Sequence, residues 1–181
     1  MDVFKAISER RSVRKFKKME IEDQLIYKIL ETGLWAPSAG NLQSWDVILI
    51  NDQEIKQKLT TAAYMRDFIS EAPVVMVLCA NMHKSATIYN DRGRELFCIQ
   101  DAACAGQNML LAIHALGLGA CWVGAFDEWL VAEAVVLPRH LRPVALIPFG
   151  YPDETPLPPP RRELDELIHW NKFGQEVCIE R

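Results

Sequence analysis

The sequence has little that would support a metal centre or a disulfide framework. Its five cysteines form no Cys-x-x-Cys pair, and its four histidines show no ligand spacing. An odd, unpatterned set of cysteines in a chain without an apolar leader is typical of reduced, mostly buried thiols. We therefore expect no disulfide and no metal site. The cysteines are Cys79, Cys98, Cys104, Cys121 and Cys178.

The chain also lacks an apolar leader and an uninterrupted apolar run. The longest run, from Met109 to Phe126, contains His114 and three glycines. A membrane-spanning helix needs about 20 predominantly apolar residues. We expect no membrane span, and the absence of an apolar leader makes the cytoplasm the expected compartment.

Several well-known catalytic motifs are missing as well. We find no Walker loop, serine elbow, metalloprotease helix or carboxylate pair. The glycines of residues 116–124 follow a predicted helix and open a predicted strand, which is the reverse of a dinucleotide-binding fingerprint. Asp101 lies within the most apolar predicted helix. Because a lone buried carboxylate is costly, we expect Asp101 to be hydrogen-bonded and not catalytic.

The size and the hydrophobic pattern are those of one folded domain. The chain has 181 residues, half of them hydrophobic, and a chain of this length buries roughly 70% of its unfolded surface. Apolar periodicity predicts an α+β fold, with helices on both faces of one mixed sheet. The two prolines lie near the start and the end of the last predicted strand, which favours an edge position or a terminal pairing for it. Helices are predicted at 2–11, 22–36, 52–60, 94–116, after Asp127 and at 163–170, and strands at 45–50, 73–80, 120–123 and 141–149.

The C-terminal part has a different composition. Pro152 to Pro160 contains five prolines among nine residues, which is typical of a stiff, extended connector. We assign residues 1–151 to the core of the domain and residues 152–181 to a connector, a short helix and an arm. The arm has few residues to build a core of its own, so we expect it to dock on a partner subunit.

Two short segments carry the clearest chemistry. Arg10-Arg11-Ser12-Val13-Arg14 concentrates three guanidinium groups and a hydroxyl within five residues. Guanidinium groups bind phosphate oxygens bidentately. Arg161-Arg162 adds a second cationic pair far along the chain. The alternative is that the first cluster stabilises a helix end and the second flanks an acidic helix.

The second segment, residues 37–43, is Pro-Ser-Ala-Gly-Asn-Leu-Gln. Each of its residues is also common in ordinary turns. Taken alone, the basic N-terminal segment is also typical of nucleic-acid binding, since residues 1–18 carry seven positive and two negative charges. The whole chain, however, has a net charge of −4, and aromatic residues do not alternate with the basic ones. We expect no nucleic-acid partner.

Taken in order, these motifs resemble the nitroreductase family of FMN-dependent oxidoreductases over nearly the whole chain. The matching parts are Arg-x-Ser-x-Arg, Pro-Ser-x-x-Asn, residues 72–75, Asp101 with residues 107–108, residues 117–119, residues 121–124 and Arg162. The resemblance implies a three-layer α/β/α sandwich with a mixed, mainly antiparallel sheet. It also implies an intertwined homodimer with FMN at the subunit interface.

The resemblance further implies how FMN is held. Arg10 and Arg162, with Arg161, would bind the phosphate, Ser12 the phosphate or the ribityl chain, and Arg14 the pyrimidine end, with Arg11 close through its backbone. The backbones of Val123 and Gly124 would approach flavin N5. The other subunit would contribute Pro37, Ser38, Ala39 and Asn41. Many family members carry an amide near the position of Tyr64, where this chain has Tyr64 and Arg66.

The function implied is hydride transfer from NADH or NADPH through flavin N5 to a nitroaromatic, a quinone or a similar small acceptor, by a ping-pong mechanism. Such chemistry comes from the cofactor more than from side chains, so no catalytic side chain is predicted. The short region available for a substrate pocket leaves one alternative open. This is a flavin-binding module without turnover that serves storage, sensing or assembly.

Overall fold

The computed structural model describes residues 1–175, and these form an α+β fold. The helices are α1 (Val3–Glu9), α2 (Asp23–Leu34), α3 (Gln53–Ala62), α4 (Phe68–Glu71), α5 (Met82–Arg92), α6 (Cys98–Ala115) and α7 (Glu128–Ala134). The strands are β1 (Trp45–Ile50), β2 (Val74–Asn81), β3 (Gly119–Ala120) and β4 (Leu141–Gly150). Short 3-10 turns cover Ala39–Asn41 and Leu164–Glu166, and a π-helical turn covers Gly93–Phe97.

The four strands form one sheet in the order β1-β2-β4-β3, and each neighbouring pair is antiparallel. The parallel component is a single bridge between Ser12 and Ala120. This bridge attaches the basic N-terminal segment to the edge strand β3.

Strand β2 is covered by helices on both faces, as its continuous apolar sequence predicts. Its alternate residues belong to two separate hydrophobic clusters. One cluster contains residues of α2 and α6, and the other contains residues of α3, α4 and α7. The α/β/α layering is therefore confirmed. The first cluster takes Val74, Met76, Leu78 and Ala80 from β2, and the second takes Val75, Val77 and Cys79.

Of the two alternatives for the last strand, the edge position is wrong, because β4 lies between β2 and β3. Pro143 faces Cys79 at the point where the β2–β4 register shifts, and an irregular ladder tolerates a missing N–H. The carbonyl of Pro148 accepts the N–H of Cys121, so its nitrogen faces the side of β3. Because β3 already ends at Ala120, the strand has no residue opposite Pro148. The missing N–H of Pro148 therefore removes no hydrogen bond between β3 and β4.

Other predicted boundaries also differ. The helix predicted at 94–116 has its regular part at Cys98–Ala115 and is preceded by the π-helical turn. The strand predicted at 120–123 is limited to Gly119–Ala120, with one further bridge from Val123 to Leu146. The helix predicted at 163–170 is a single 3-10 turn, Leu164–Glu166, whose residues are exposed. A short helix without packing is marginal in water.

Helix α5 was not predicted, although its start has a recognisable signal. The side chain of Asn81 accepts the N–H of Lys84 at 3.0 Å, which is an N-cap interaction. Apolar periodicity missed the helix because most of its surface is polar and only Ser85 is buried. By length and composition, Met82–Ala115 is apolar enough to cross a membrane. Its second half, α6, packs in the core instead.

The thiols behave as expected where the structure describes them. Cys79, Cys98 and Cys121 are buried, Cys104 is half-buried, and all four are free. Cys178 and the end of the predicted arm, residues 176–181, lie outside the described residues.

Candidate functional site

The basic segment leaves α1 and runs along the edge of the sheet. The N–H of Val13 donates to the carbonyl of Ala120 at 2.9 Å. The side chain of Val13 is buried, while Arg14 is exposed and Ser12 is partly buried. Alternation along an extended segment therefore directs Val13 into the core and its neighbours to the other side.

Three arginines converge on Cys121, which follows β3. Burial raises the pKa of the Cys121 thiol, whereas Arg14, a hydrogen bond with Ser12, Arg66 and Arg10 lower it. All three arginines therefore act electrostatically on the same thiol. Arg66 comes from the turn after α3 and was not assigned a role from the sequence. The guanidinium carbon of Arg14 lies 6.0 Å from the ring centroid of Phe68, the first residue of α4.

Within residues 1–175, none of Arg10, Arg14 and Arg66 forms an ion pair. The carboxylate of Glu154 is close to Arg14, but it accepts backbone N–H groups. A group of uncompensated guanidinium ions beside a hydroxyl is suited to bind a polyanionic group such as a phosphate.

Arg11 differs from its neighbours. Its Nη1 donates to the carbonyls of Ser8 at 2.7 Å and Arg10 at 2.9 Å. The side chain thus folds back onto the last turn of α1, where unpaired carbonyls attract a cation. For Arg11, the alternative interpretation of the basic cluster is therefore correct: its side chain stabilises the end of a helix.

The polar loop, residues 37–43, lies elsewhere, against the start of α6. It contains a 3-10 turn at Ala39–Asn41, and the N–H of Gln43 donates to Ser38 Oγ at 3.0 Å. Asp101, only 3% exposed, accepts the N–H of Ala39 at 2.9 Å and the hydroxyl of Ser44 at 2.5 Å. The prediction that Asp101 is hydrogen-bonded is confirmed.

Within one chain, the loop and the arginines lie at opposite ends of α6. Asp101 contacts the loop near the start of α6, whereas His114, near its end, lines a cavity with Arg10 and Arg11. At 1.5 Å per residue, these two positions are about 20 Å apart along the helix axis. Among residues 1–175, no hydrogen bond joins the loop to the basic segment.

That cavity measures about 460 Å³ and is bordered on one side by the proline-rich connector. Burial lowers the pKa of His114, and the charges of Arg10 and Arg11 lower it further against the opposing effect of Glu9. His114 Nε2 is buried and has no hydrogen-bond partner among the described residues.

The second cationic pair lies further out on the arm. Arg162 Nε is 3.1 Å from Glu166 Oε2, and Arg161 donates to the carbonyl of Pro160 at 3.4 Å. Both arginines are exposed. Within the described chain, neither contacts the first cluster.

Val123 and Gly124 follow β3 and come shortly after Cys121 in the chain. The N–H and carbonyl of Val123 are both paired with Leu146 at 2.9 Å. Gly124 is exposed, and no backbone partner is found for its N–H among residues 1–175. Of the two, only Gly124 offers a free backbone donor at this position.

The fold and the site define an α+β protein with a cluster of arginines at the edge of its sheet that form no ion pair among residues 1–175. The sequence model of the Nitroreductase family matches residues 7–66 and 61–151. Since these segments make up most of the chain, the chain belongs to the nitroreductase family.

Individual relatives agree with this assignment. The chain is 35% identical to a Methanothermobacter thermautotrophicus protein assigned as an NADH dehydrogenase/NAD(P)H nitroreductase, over 86% of this chain and 80% of the relative. It is 32% identical to an NADH dehydrogenase of Thermus thermophilus, over 94% and 96%. The crystal structure of the NADPH:FMN oxidoreductase of Vibrio harveyi in complex with NAD⁺ superposes with a TM-score of 0.87 at 28% identity, covering 97% of this chain and 79% of that one.

Proposed function

We propose that this protein is an FMN-dependent oxidoreductase that takes hydride from NADH or NADPH and delivers it to a small acceptor such as a nitroaromatic or a quinone. The observation that carries the proposal is the convergence of Arg10, Arg14 and Arg66 beside Ser12, without an ion-pair partner among residues 1–175. The names of the relatives, which include NADPH:FMN oxidoreductase, support the same class of reaction.

The donor set fits FMN. Its phosphate needs permanent cations and hydroxyl donors, which Arg10 and Ser12 supply. Arg14 and Arg66 extend the positive charge beyond the phosphate site, and Gly124 offers a free N–H. Arg161 and Arg162 lie on the arm that continues from the connector beside Arg10, and we propose that they complete the phosphate site.

Bound FMN would supply the hydride chemistry that no side chain of this site provides. The residues of the chain would bind and orient the flavin and stabilise charge on it. The guanidinium group of Arg14 remains charged at any working pH, so it would stabilise negative charge on a reduced ring without a proton transfer. Donor and acceptor would use the same site in turn, and ping-pong kinetics would follow.

We also propose a homodimer in which one subunit supplies the arginines and the other supplies Pro37, Ser38, Ala39 and Asn41. The loop and the arginines of one chain are separated by about 20 Å along α6. One chain therefore cannot easily bring both groups into contact with the same ligand. Large apolar side chains also lie open at the surface, including Phe4 (80% exposed), Trp35 (82%) and Phe173 (91%). Aromatic side chains are enriched at protein interfaces relative to the rest of the surface.

A spectroscopic titration tests the proposal. Purified protein is incubated with FMN, separated from free flavin, and scanned in the visible range before and after anaerobic addition of NADH or NADPH. We expect flavin absorbance that bleaches rapidly with one of the two donors. Protein that gains no flavin absorbance would contradict the proposal. Bound flavin that neither donor bleaches would instead support the flavin-binding module without turnover.

Light scattering coupled to size-exclusion chromatography gives the oligomeric state, and we expect twice the monomer mass. We further propose that the protein is cytoplasmic, with neither a nucleic-acid nor a membrane partner. Free thiols at four described positions are typical of a reducing compartment.

A further inference from the structure

We infer that Asp101 is a positioning residue, which fixes the polar loop, residues 37–43, in the conformation that binds FMN. The inference rests on the proposed function for the identity of the ligand. It goes beyond that function because Asp101 lies in the core, on a different element from every residue proposed to touch the cofactor.

The carboxylate of Asp101 accepts one hydrogen bond on each of its two oxygens. Oδ1 accepts the backbone N–H of Ala39 at 2.9 Å, and Oδ2 accepts the hydroxyl of Ser44 at 2.5 Å. Ala39 lies at the start of the turn and Ser44 directly after the loop, so one carboxylate joins both ends of the segment to α6. Ser44 is itself completely buried, which makes this anchor point rigid.

The use of a carboxylate here requires an explanation. Asp101 is 3% exposed, and no cation forms an ion pair with it among residues 1–175. Burying an uncompensated charge is unfavourable for folding. The advantage of a carboxylate over a neutral side chain is that it accepts hydrogen bonds on both oxygens. Such charge-assisted hydrogen bonds are also stronger than hydrogen bonds between neutral groups.

The loop needs an external clamp because its own conformation is strained. The backbone φ angles of Asn41 and Gln43 are 57° and 45°, whereas Gly40 adopts its φ of 57° without strain because it has no Cβ. Residues with a side chain rarely adopt such angles, and they persist only when the surrounding structure holds them. The strained residues all lie between the two points where Asp101 is attached.

The loop also packs against the side chain of Tyr89 at Gly40. A Cβ on Gly40 would lie 2.7 Å from the hydroxyl oxygen of Tyr89. Asn41 remains exposed. Asp101 therefore fixes a loop whose inner face is packed and whose outer face presents polar groups, while the carboxylate itself is out of reach of any ligand.

The first experiment needs no ligand. Hydrogen exchange of the segment 39–44 is compared between the wild type and D101N, in which the amide has one acceptor oxygen instead of two. We expect exchange to become about tenfold faster in this segment, because a charge-assisted bond is lost, with little change in β2. Unchanged exchange in the loop would overturn the inference, whether or not the protein binds FMN.

The second experiment measures the dissociation constant of FMN. We expect about tenfold weaker binding for D101N and a smaller loss for S44A, which removes one of the two anchors. If D101N does not fold, S44A alone decides, and wild-type affinity in S44A would overturn the inference. A wild-type protein that does not bind FMN would contradict the proposed function but leave the exchange result valid.

A mixed dimer separates positioning from general damage. One subunit carries D101N, and the other carries R10A and R14A. If the loop acts on the site of the partner, the intact arginines face an intact loop, and one FMN per dimer binds with wild-type affinity. Weakened binding at that site would show that D101N damages its own subunit, and would overturn the positioning role.

Discussion

Glu154 holds the backbone of Arg14. Its Oε1 accepts the N–H groups of Arg14 and, at 3.1 Å, of Lys15. The contact joins the start of the proline-rich connector to the basic segment, and a hydrogen bond of 2.9 Å from the N–H of Asp153 to the carbonyl of Lys15 reinforces it. The position of an arginine near the N-terminus thus depends on a carboxylate 140 residues away.

The first prediction concerns this carboxylate. Glu154→Ala removes the acceptor of two backbone N–H groups, so we expect the free energy of unfolding to fall by about 1 kcal/mol. Glu154→Gln keeps an acceptor oxygen and should lose less. Urea denaturation of the three proteins measures the effect. Equal losses in both variants would show that the charge, and not the hydrogen bonds, is what stabilises the fold.

The second prediction concerns Gly119 and its contact with Val13. A Cβ on Gly119 would lie 2.7 Å from Cγ2 of Val13, closer than such atoms approach. In Gly119→Ala, Val13 must shift and displace its neighbours Ser12 and Arg14. We expect a destabilisation of about 1–3 kcal/mol and weaker FMN binding.

Gly117→Ala is the matched control for that substitution. Gly117 has φ +80° but no atom within 4 Å of the added Cβ, so the variant should lose about 1 kcal/mol through backbone strain alone. Its FMN affinity should equal that of the wild type. Equal affinity in Gly119→Ala would mean that Val13 does not position the arginines.

The third prediction tests Arg14 directly. Removing a charged hydrogen-bond donor costs about 1.5–3 kcal/mol, so Arg14→Ala should weaken FMN binding about 10- to 100-fold or slow flavin reduction correspondingly. Flavin absorbance and stopped-flow reduction by the nicotinamide donor measure the two quantities. Arg139→Ala, at an exposed arginine outside the cluster, serves as the control and should behave like the wild type.

The fourth prediction concerns pH. Burial lowers the pKa of His114 below its value of 6.5 in the unfolded chain. Between these two pKa values the unfolded state binds more protons than the folded state. The contribution of His114 to the free energy of unfolding is therefore fully present above about pH 6.5, and it is lost as the pH falls towards the folded-state pKa. Urea denaturation at several pH values should show a smaller decline in His114→Leu. Identical pH profiles of the two proteins would contradict the assignment to His114.

Local sequence information was sufficient for much of the fold. The coverage of β2 on both faces and the presence of helices α1 and α2 are set by neighbouring residues, and they appear as predicted. The position of β4 could not be predicted in this way. Its place depends on which strands pair with it, and the two prolines are tolerated only because a register shift and a short neighbour lie beside them.

The same division applies to the site. The sequence by itself determined the chemical groups: guanidinium ions in Arg10 and Arg14, a hydroxyl in Ser12 and a polar turn at residues 37–43. Only the tertiary structure decided that Arg66 joins the cluster, that the turn lies at the far end of α6, and that the N–H of Val123 is already used. Residue type follows directly from the sequence, whereas the distance between residues far apart in the chain depends on how the helices pack on the sheet.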